Sequence, residues 1–320
     1  MRIVFKFLGI LIAVVLVVAA AFYLWAGYAS NQRLTRTFET HRVDFPVPFP
    51  LTAAELTAAG VTEDTGDVLA LEHARERGRH LVQSRYHCVE CHGANFGGGV
   101  MVDAFPMGRF LGPNLTTGRG SAVTGYTAAD WDRAVRHGVL PDGRPSIMPA
   151  QDFLRLSDQE LSDVIAYIQA QPPVDNEVPK SSLGPLGKIL VATSQLPPPA
   201  EAISDHRGEH PAVPPPAGVS NEFGAHLAAT CVGCHSMNLA GGPIVGGDPS
   251  WPPARNLTPH ATGLAGWTYE QFVAALRDGT RPDGTKLLVP MTFVQPYAQQ
   301  MTDVELRALF TYLQSLPPTP

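Results

Sequence analysis

Lysine is scarce in this chain of 320 residues, which has only Lys6, Lys180, Lys188 and Lys286. A docking surface built on a ring of lysines is therefore not available. Charged residues make up 16% of the sequence and the formal net charge is −6, which argues against nucleic acid as a partner. No apolar stretch after residue 29 is long enough to cross a membrane, so a second spanning helix is not expected.

The composition also limits regular secondary structure. The chain has 30 glycines and 30 prolines, which favour loop-rich domains over long helices or a regular barrel. Hydrophobic residues make up 44% of the sequence, which is enough for a packed core. The length suits two domains of ordinary size with their connections.

The N-terminus holds one long apolar run, the 23 residues Phe7–Ala29, which carry no charge. As a helix this run would be about 35 Å long, and a bilayer core is about 30 Å thick. We predict an uncleaved transmembrane anchor over residues 1–29; the alternative is a long signal peptide that is cleaved near residues 26–29. Arg2 and Lys6 precede the run, which predicts a cytoplasmic N-terminus and places the rest of the chain outside the cytoplasmic membrane.

The four cysteines occur in two copies of one pattern, CVECH at residues 88–92 and CVGCH at residues 231–235. A pair at positions i and i+3 is poorly suited to a structural disulfide, and each pair is followed directly by histidine. This pattern is typical of covalent c-type haem attachment. A zinc site would require both pairs to converge on one metal, and a thioredoxin-like pair expects a βαβ context that the sequence does not offer.

The pattern belongs to a longer repeat with an offset of 141–145 residues. GPNLTT (112–117) is echoed by ARNLTP (254–259), and two later segments also recur. Each later segment begins with a capping-box pattern, and each final helix has apolar residues at i, i+3, i+4 and i+7 before a Pro-Pro pair. The predicted cap pairs are Thr127–Asp130, Ser157–Glu160, Thr268–Gln271 and Thr302–Glu305. One domain has therefore been duplicated.

The repeat defines the expected organisation of the chain. We predict a helix over Leu71–Arg85 that leads into Cys88, an extended stalk or strap before it, and a Pro-rich connector between the copies. The predicted units are a transmembrane anchor at 1–29, a stalk or strap at 30–70, domain 1 at 71–175, a connector at 176–220 and domain 2 at 221–320.

A c-type haem needs two thiols for its vinyl groups and an imidazole for its iron. The pattern predicts thioether bonds at Cys88, Cys91, Cys231 and Cys234, with His92 and His235 as the proximal ligands.

For the distal position the repeat favours two methionines, because Met148 and Met291 each lie 60 residues after the first cysteine of their copy. A thioether is a soft ligand that suits low-spin haem iron. The less favoured alternatives are Met101, Met107, Met237 and Met301, together with His137 and His260.

Each copy resembles a class I cytochrome c domain, with a helix, the CxxCH motif, a GPNL-type loop, a methionine loop and a last helix with an aromatic residue. The resemblance implies a mainly α fold, two tandem haem domains and two covalently bound haem c groups. It also implies close helix crossings at Gly78 with Tyr167 and at Gly224 with Tyr312.

In the family, the proline carbonyl of the GPNL loop supports the proximal histidine, a role that fits Pro113. Arg255 stands at this place in copy two, which leaves the support of its histidine open and suggests different potentials for the two haems. Propionate contacts are open among Arg109, Trp131, Arg144, Trp251, Arg255 and Trp267, and His87 is expected to be a surface residue.

The tandem arrangement resembles membrane-anchored dihaem cytochromes c and the cytochrome subunits of periplasmic alcohol and aldehyde dehydrogenases. It implies electron transfer between a dehydrogenase or quinol-oxidising complex and an oxidase or soluble cytochrome, with no catalytic residue. The alternatives are a catalytic, peroxidase-like dihaem enzyme and an obligate cytochrome subunit of a larger complex.

Overall fold

The computed structural model describes residues 2–41, 43–244, 247–248 and 250–320. Met1 and Arg42, which belong to the predicted anchor and strap, lie outside the described residues. The α-helices are α1 (Arg2–Thr35), α2 (Ala53–Ala59), α3 (Glu63–Ser84), α4 (Cys88–His92), α5 (Ala128–Val135), α6 (Asp158–Gln169), α7 (Pro185–Ala192), α8 (Asn221–Ala228), α9 (Val232–His235), α10 (Tyr269–Asp278), α11 (Gln295–Ala298) and α12 (Asp303–Ser315). The fold is mainly helical, as the sequence predicts.

Helix α1 is long and apolar enough to cross a membrane, and most of its side chains are exposed. It continues six residues beyond the predicted end of the anchor, and its last part packs against α7. Arg33 fixes this contact, because its Nε donates to Glu201 Oε1 at 3.1 Å and its Nη1 donates to the carbonyl of Val191 at 2.5 Å.

The first repeat is built on the crossing of α3 with α6. A Cβ added at Gly78 would lie 2.0 Å from the carbonyl oxygen of Asp163 and 2.8 Å from the Cβ of Tyr167. Only glycine permits this approach, which confirms the predicted crossing. Helix α3 begins at Glu63, so the prediction of a start at Leu71 was eight residues late.

The second repeat uses the same architecture with α8 and α12. A Cβ at Gly224 would lie 2.1 Å from the carbonyl oxygen of Ala308 and 2.6 Å from the Cβ of Tyr312. The four predicted capping boxes are also present, one at the start of each of α5, α6, α10 and α12. The duplication therefore extends from the sequence to the packing of the helices.

A small antiparallel sheet was not predicted. Strands β1 (Gly99–Ala104) and β2 (Gly108–Gly112) form a hairpin directly after the first motif, and β2 also pairs with β3 (Ser182–Leu183). The hairpin packs against α4, where a Cβ at Gly112 would lie 1.9 Å from the carbonyl oxygen of Cys91. Strand β3 lies in the predicted connector, which is therefore partly packed on the first repeat.

Several residues of the segment predicted as a stalk or strap contact the first repeat. Phe45 is 5% exposed and belongs to the hydrophobic core of the first repeat. The hydroxyl of Ser162 donates to the carbonyl of Pro46 at 2.7 Å, and Phe38 N donates to the carbonyl of Gly143 at 2.8 Å. The backbone of this segment therefore accepts a hydrogen bond from helix α6 at Pro46 and donates one to the loop after α5 at Phe38.

The two repeats meet through reciprocal ion pairs. His80 Nε2 lies 2.9 Å from Glu305 Oε1, and His226 Nε2 lies 2.8 Å from Glu160 Oε1. Both glutamates are the capping-box residues of a last helix, and both histidines lie two residues after the crossing glycine. Arg85 donates from its Nε to Glu305 at 3.0 Å and from its Nη1 to Glu160 at 3.2 Å. We call these five residues the repeat interface.

Candidate functional site

The first motif forms the short helix α4, directly after α3 and against the hairpin. His92 is 8% exposed, and its Nδ1 lies 2.9 Å from the carbonyl oxygen of Pro113. Since only a protonated Nδ1 can donate to a carbonyl, this contact leaves Nε2 unprotonated and free to bind a metal. Burial lowers the pKa of His92 and outweighs the hydrogen bond to Pro113, so the ring is neutral.

The second motif repeats this arrangement. His235 Nδ1 lies 2.7 Å from the carbonyl oxygen of Arg255. The support that the sequence left open at Arg255 is thus the same as at Pro113, because the acceptor is a backbone carbonyl in both repeats. What differs is exposure: His92 is buried, whereas His235 is half-buried and the adjacent Cys234 is exposed.

The four thiols are free and carry no sign of a redox pair. Burial raises the pKa of Cys88 to about 12 and that of Cys231 to about 11. A reactive CxxC motif requires the opposite shift, because the thiolate is its nucleophile. Among the described residues, the side chains whose ligand atoms converge on one point include no cysteine. This also argues against a zinc site that joins the two cysteine pairs.

The predicted methionine ligands differ in their surroundings. Met148 is half-buried and packs against the core of the first repeat, on which Cys88 also packs. Met291 is half-buried at the start of a 3₁₀ helix and lies outside the second core cluster, whereas Met301 packs against that cluster. Met301 therefore has the core position that its place in the repeat predicts.

The remaining alternatives are occupied elsewhere or face solvent. Met101 is 38% exposed on β1, and Met237 is 79% exposed. His260 Nδ1 lies 2.9 Å from the hydroxyl of Thr262, and His137 belongs to a separate histidine cluster.

One candidate for a propionate contact has a buried hydrogen-bond donor that an acid group would satisfy. The indole Nε1 of Trp131 is buried without a hydrogen-bond partner, although the side chain is only 4% exposed and lies in the first core. Leaving a buried donor without a partner costs free energy, so this nitrogen is suited to donate a hydrogen bond to a group bound in the core. Arg109 and Arg144 are instead paired at the surface with Asp103 and Asp142.

Sequence reasoning missed that both motifs adjoin the contact between the repeats. Tyr297 donates from its hydroxyl to Glu90 Oε1 at 2.7 Å, and its ring lies 3.8 Å from that of His87, centroid to centroid. His87 therefore contacts the second repeat, and the expectation of a surface position was wrong. In the second motif, a Cβ at Gly233 would lie 2.3 Å from Asp152 Oδ1. Each motif is thus touched by the segment that follows the methionine of the other repeat.

Comparison with known protein families assigns both repeats. Residues 73–168 match the family model "Cytochrome C oxidase, cbb3-type, subunit III", and residues 222–317 match the model "Cytochrome c". The match of both copies agrees with the predicted duplication. Two such domains indicate two covalently bound haem c groups, as the resemblance implied.

Several curated proteins match most of this chain. The chain is 29% identical over 262 residues to the "Alcohol dehydrogenase (quinone), cytochrome c subunit" of Gluconacetobacter polyoxogenes, a match that covers 73% of this chain and 54% of the relative. It is 25% identical over 267 residues to the "Fructose dehydrogenase cytochrome subunit" of Gluconobacter japonicus, which covers 74% and 52%. It is 25% identical over 225 residues to the "Diheme cytochrome c-type" of Cereibacter sphaeroides, which covers 66% and 72%. The chain spans about half the length of the two dehydrogenase subunits.

Proposed function

Because the chain is a dihaem cytochrome c with two tandem cytochrome c domains, we propose that it carries single electrons as a subunit of a membrane-associated dehydrogenase. It accepts electrons from the dehydrogenase or from a quinol-oxidising complex and delivers them to an oxidase or a soluble cytochrome. The observation that carries this proposal is the duplicated motif in which a backbone carbonyl orients each histidine. The names of the relatives support the dehydrogenase as the donor.

The proposal gives the cysteines the role of covalent anchors. Cys88 and Cys91 form thioether bonds with one haem, and Cys231 and Cys234 form them with the other. The raised pKa values of the thiols suit this role, because they keep the thiols neutral and a thioether also carries no charge. Covalent attachment also keeps the haem in place in small domains that expose part of each motif.

The carbonyl contacts support the two proximal ligands, and the 60-residue spacing of the repeat supports the two distal ones. His92 and His235 bind through Nε2, since each Nδ1 is engaged with a carbonyl. Met148 and Met291 supply the distal ligands. Bound haem iron supplies reversible one-electron chemistry, and ligation by histidine and methionine raises its reduction potential. The protein's own part is to hold these side chains rigidly and to exclude water from the first site.

The contact between the repeats supports electron passage inside the chain. Tyr297 of the second repeat lies on the first motif, and Asp152 of the first repeat lies against the second motif. Both haem-binding motifs therefore adjoin one interface. An electron that enters at one domain leaves from the other without a diffusing carrier between them.

The N-terminal helix supports attachment to the cytoplasmic membrane. Arg2 and Lys6 at its start favour a cytoplasmic N-terminus and place both haem domains on the outer side, in the periplasm. Haem domains at that surface can reach a dehydrogenase, a quinol-oxidising complex and an oxidase in the same membrane.

The test uses the full-length holoprotein in mild detergent. Chains that co-purify are identified by mass spectrometry, the ferric protein is titrated with dithionite, and the ferrous protein is exposed to carbon monoxide. We expect a co-purifying dehydrogenase, uptake of two electrons per chain and no rapid binding of carbon monoxide. Rapid stoichiometric binding would instead show an open iron position and favour the peroxidase-like alternative. This alternative is the relevant one to test, because Met291 lies outside the second core.

A further inference from the structure

Four side chains far apart in sequence converge beside the first domain. They are His41 of the strap, Asp132 of α5, His137 just after α5 and His210 of the connector, and their ligand atoms all lie within 4.8 Å of one another. His210 Nε2 is 3.4 Å from His137 Nε2, and Asp132 Oδ2 is 3.7 Å from His137 Nε2 and 4.0 Å from His41 Nε2. None of these residues belongs to a haem motif.

The centre of this cluster is buried and lacks hydrogen-bond partners. The side chains of Asp132 and His137 are fully buried, and that of His41 is 11% exposed. Asp132 Oδ2 and His41 Nε2 are both buried without a hydrogen-bond partner. Leaving a buried carboxylate oxygen without a partner costs free energy, so the site is suited to a bound group that would satisfy this oxygen.

The outer contacts of the same residues direct their lone pairs inward. His41 Nδ1 lies 3.3 Å from the carbonyl oxygen of His206, and His137 Nδ1 lies 3.2 Å from His206 Nδ1. Since His206 Nε2 donates to the carbonyl of Ala200 at 3.0 Å, its Nδ1 accepts from His137. Both ligand rings therefore carry their proton on Nδ1, which leaves Nε2 unprotonated toward the centre.

The other two members are fixed in the same way. Asp132 Oδ1 accepts from Arg136 Nε at 2.7 Å, so its free oxygen is Oδ2, the one that faces the cluster. His210 has a hydrogen bond to the backbone of Leu154. Burial lowers the pKa of His137 and of His210, so both rings are neutral and able to donate a lone pair. Outer hydrogen bonds of this kind orient histidine ligands in metalloproteins.

We propose that His41, Asp132, His137 and His210 bind one Zn²⁺ ion as a structural site with three nitrogen ligands and one oxygen ligand. Zinc takes four such ligands in a tetrahedron with bonds of about 2.0–2.1 Å, which sets ligand atoms about 3.4 Å apart. Three of the six separations are 3.4, 3.7 and 4.0 Å and all lie within 4.8 Å, so zinc binding requires the four side chains to move closer together. With four protein ligands, no position remains open for catalysis.

The site would join three parts of the chain that apolar contacts and backbone hydrogen bonds already bring together. His41 lies six residues after the end of α1, Asp132 and His137 belong to the first haem domain, and His210 belongs to the connector. A metal clip therefore sets the position of the haem domain relative to the membrane helix. Because it closes long loops, binding should also stabilise the fold.

The test measures zinc in the full-length, tag-free holoprotein, expressed with added ZnCl₂ and purified without chelators. Elemental analysis should find one zinc per two haem irons, and zinc-edge X-ray absorption should show nitrogen and oxygen neighbours with no sulfur. His41→Ala and His210→Ala should each hold at least tenfold less zinc with unchanged haem content. His260→Ala, at a half-buried histidine of the second domain, is the matched control and should keep its zinc.

A second readout is independent of how the variants fold. Wild-type protein treated with chelator should gain thermal stability when ZnCl₂ alone is added back, and the control variant should gain as much. The proposal is overturned if zinc-supplied wild-type protein retains no zinc, if the absorption spectrum shows sulfur neighbours, or if ZnCl₂ leaves the melting temperature of the stripped protein unchanged.

Discussion

At the scale of the residue, each proximal histidine is oriented by a carbonyl, which makes the support independent of side-chain identity. Pro113 and Arg255 differ in every property except the backbone oxygen that they present. The difference between the two sites therefore arises from exposure, since His92 is buried and His235 is half-buried. Exposure to water favours the charged ferric form of a haem, because burial penalises charge.

We predict two unequal reduction potentials, with the first haem the higher. Potentiometric titration of the holoprotein should show two one-electron waves. Met148→Leu removes the distal ligand of the first haem and should lower only the upper wave, because loss of the thioether lowers the potential. A shift of the lower wave in this variant would reverse the assignment.

At the scale of the element, the helix crossings are the feature that the duplication preserves most closely. In each repeat a glycine lets two helices approach until a carbonyl occupies the space of a side chain. This approach sets the position of α3 and α8, and therefore of the CxxCH motif that follows each.

Gly78→Ala should destabilise the first domain and Gly224→Ala the second, each by about 1–3 kcal/mol, because the added Cβ would overlap a backbone oxygen. Thermal unfolding monitored by circular dichroism would measure this loss. Gly27→Ala is the control, since nothing lies within 4 Å of the Cβ added there. Equal melting temperatures for Gly78→Ala and Gly27→Ala would refute the crossing.

The elements that could be predicted are those with local signals. The helices α5, α6, α10 and α12 begin at capping boxes and, in α6 and α12, carry a periodic apolar stripe, so sequence alone located them. The hairpin was missed because β1 is mostly exposed and neither strand shows a regular alternation of buried and exposed residues. The strap was ambiguous because proline excludes a helix but does not indicate what the chain packs against.

At the scale of the whole molecule, the repeats are joined by buried charged residues whose contact no sequence motif predicts. Glu160 and Glu305 are each about 4% exposed, and each is paired with a histidine of the other repeat. Only the folded pair of domains brings these residues together, which is why the sequence gives no sign of them. The same holds for the cluster around Asp132, whose members lie in three different segments.

Glu305→Gln should destabilise the protein by about 2–4 kcal/mol at neutral pH, because it leaves buried partners of the carboxylate uncompensated. Glutamine still suits the capping box, so the change isolates the interface. Asp303→Asn, in the same helix but exposed, is the control and should have little effect.

The effect should depend on pH in a defined direction. Burial alone would raise the pKa of Glu305, but the contacts with His80 and Arg85 outweigh it and lower the pKa from 4.5 to about 2. The charge therefore stabilises the fold fully above pH 4.5, and its contribution is lost as the pH falls toward 2. Melting temperatures of wild type and Glu305→Gln should converge over that range; a constant difference would contradict the account.

The central claim, two haems ligated by histidine and methionine, is tested most directly by the sulfur-to-iron charge-transfer absorption of the ferric protein in the far-red. Met148→Leu and Met291→Leu preserve side-chain volume and remove the thioether. Each should lose about half of this absorption and the double variant all of it, since each domain contributes one sulfur–iron bond. Met237→Leu, at a 79% exposed position, should leave it intact. A full spectrum in either Met148→Leu or Met291→Leu would contradict the assignment.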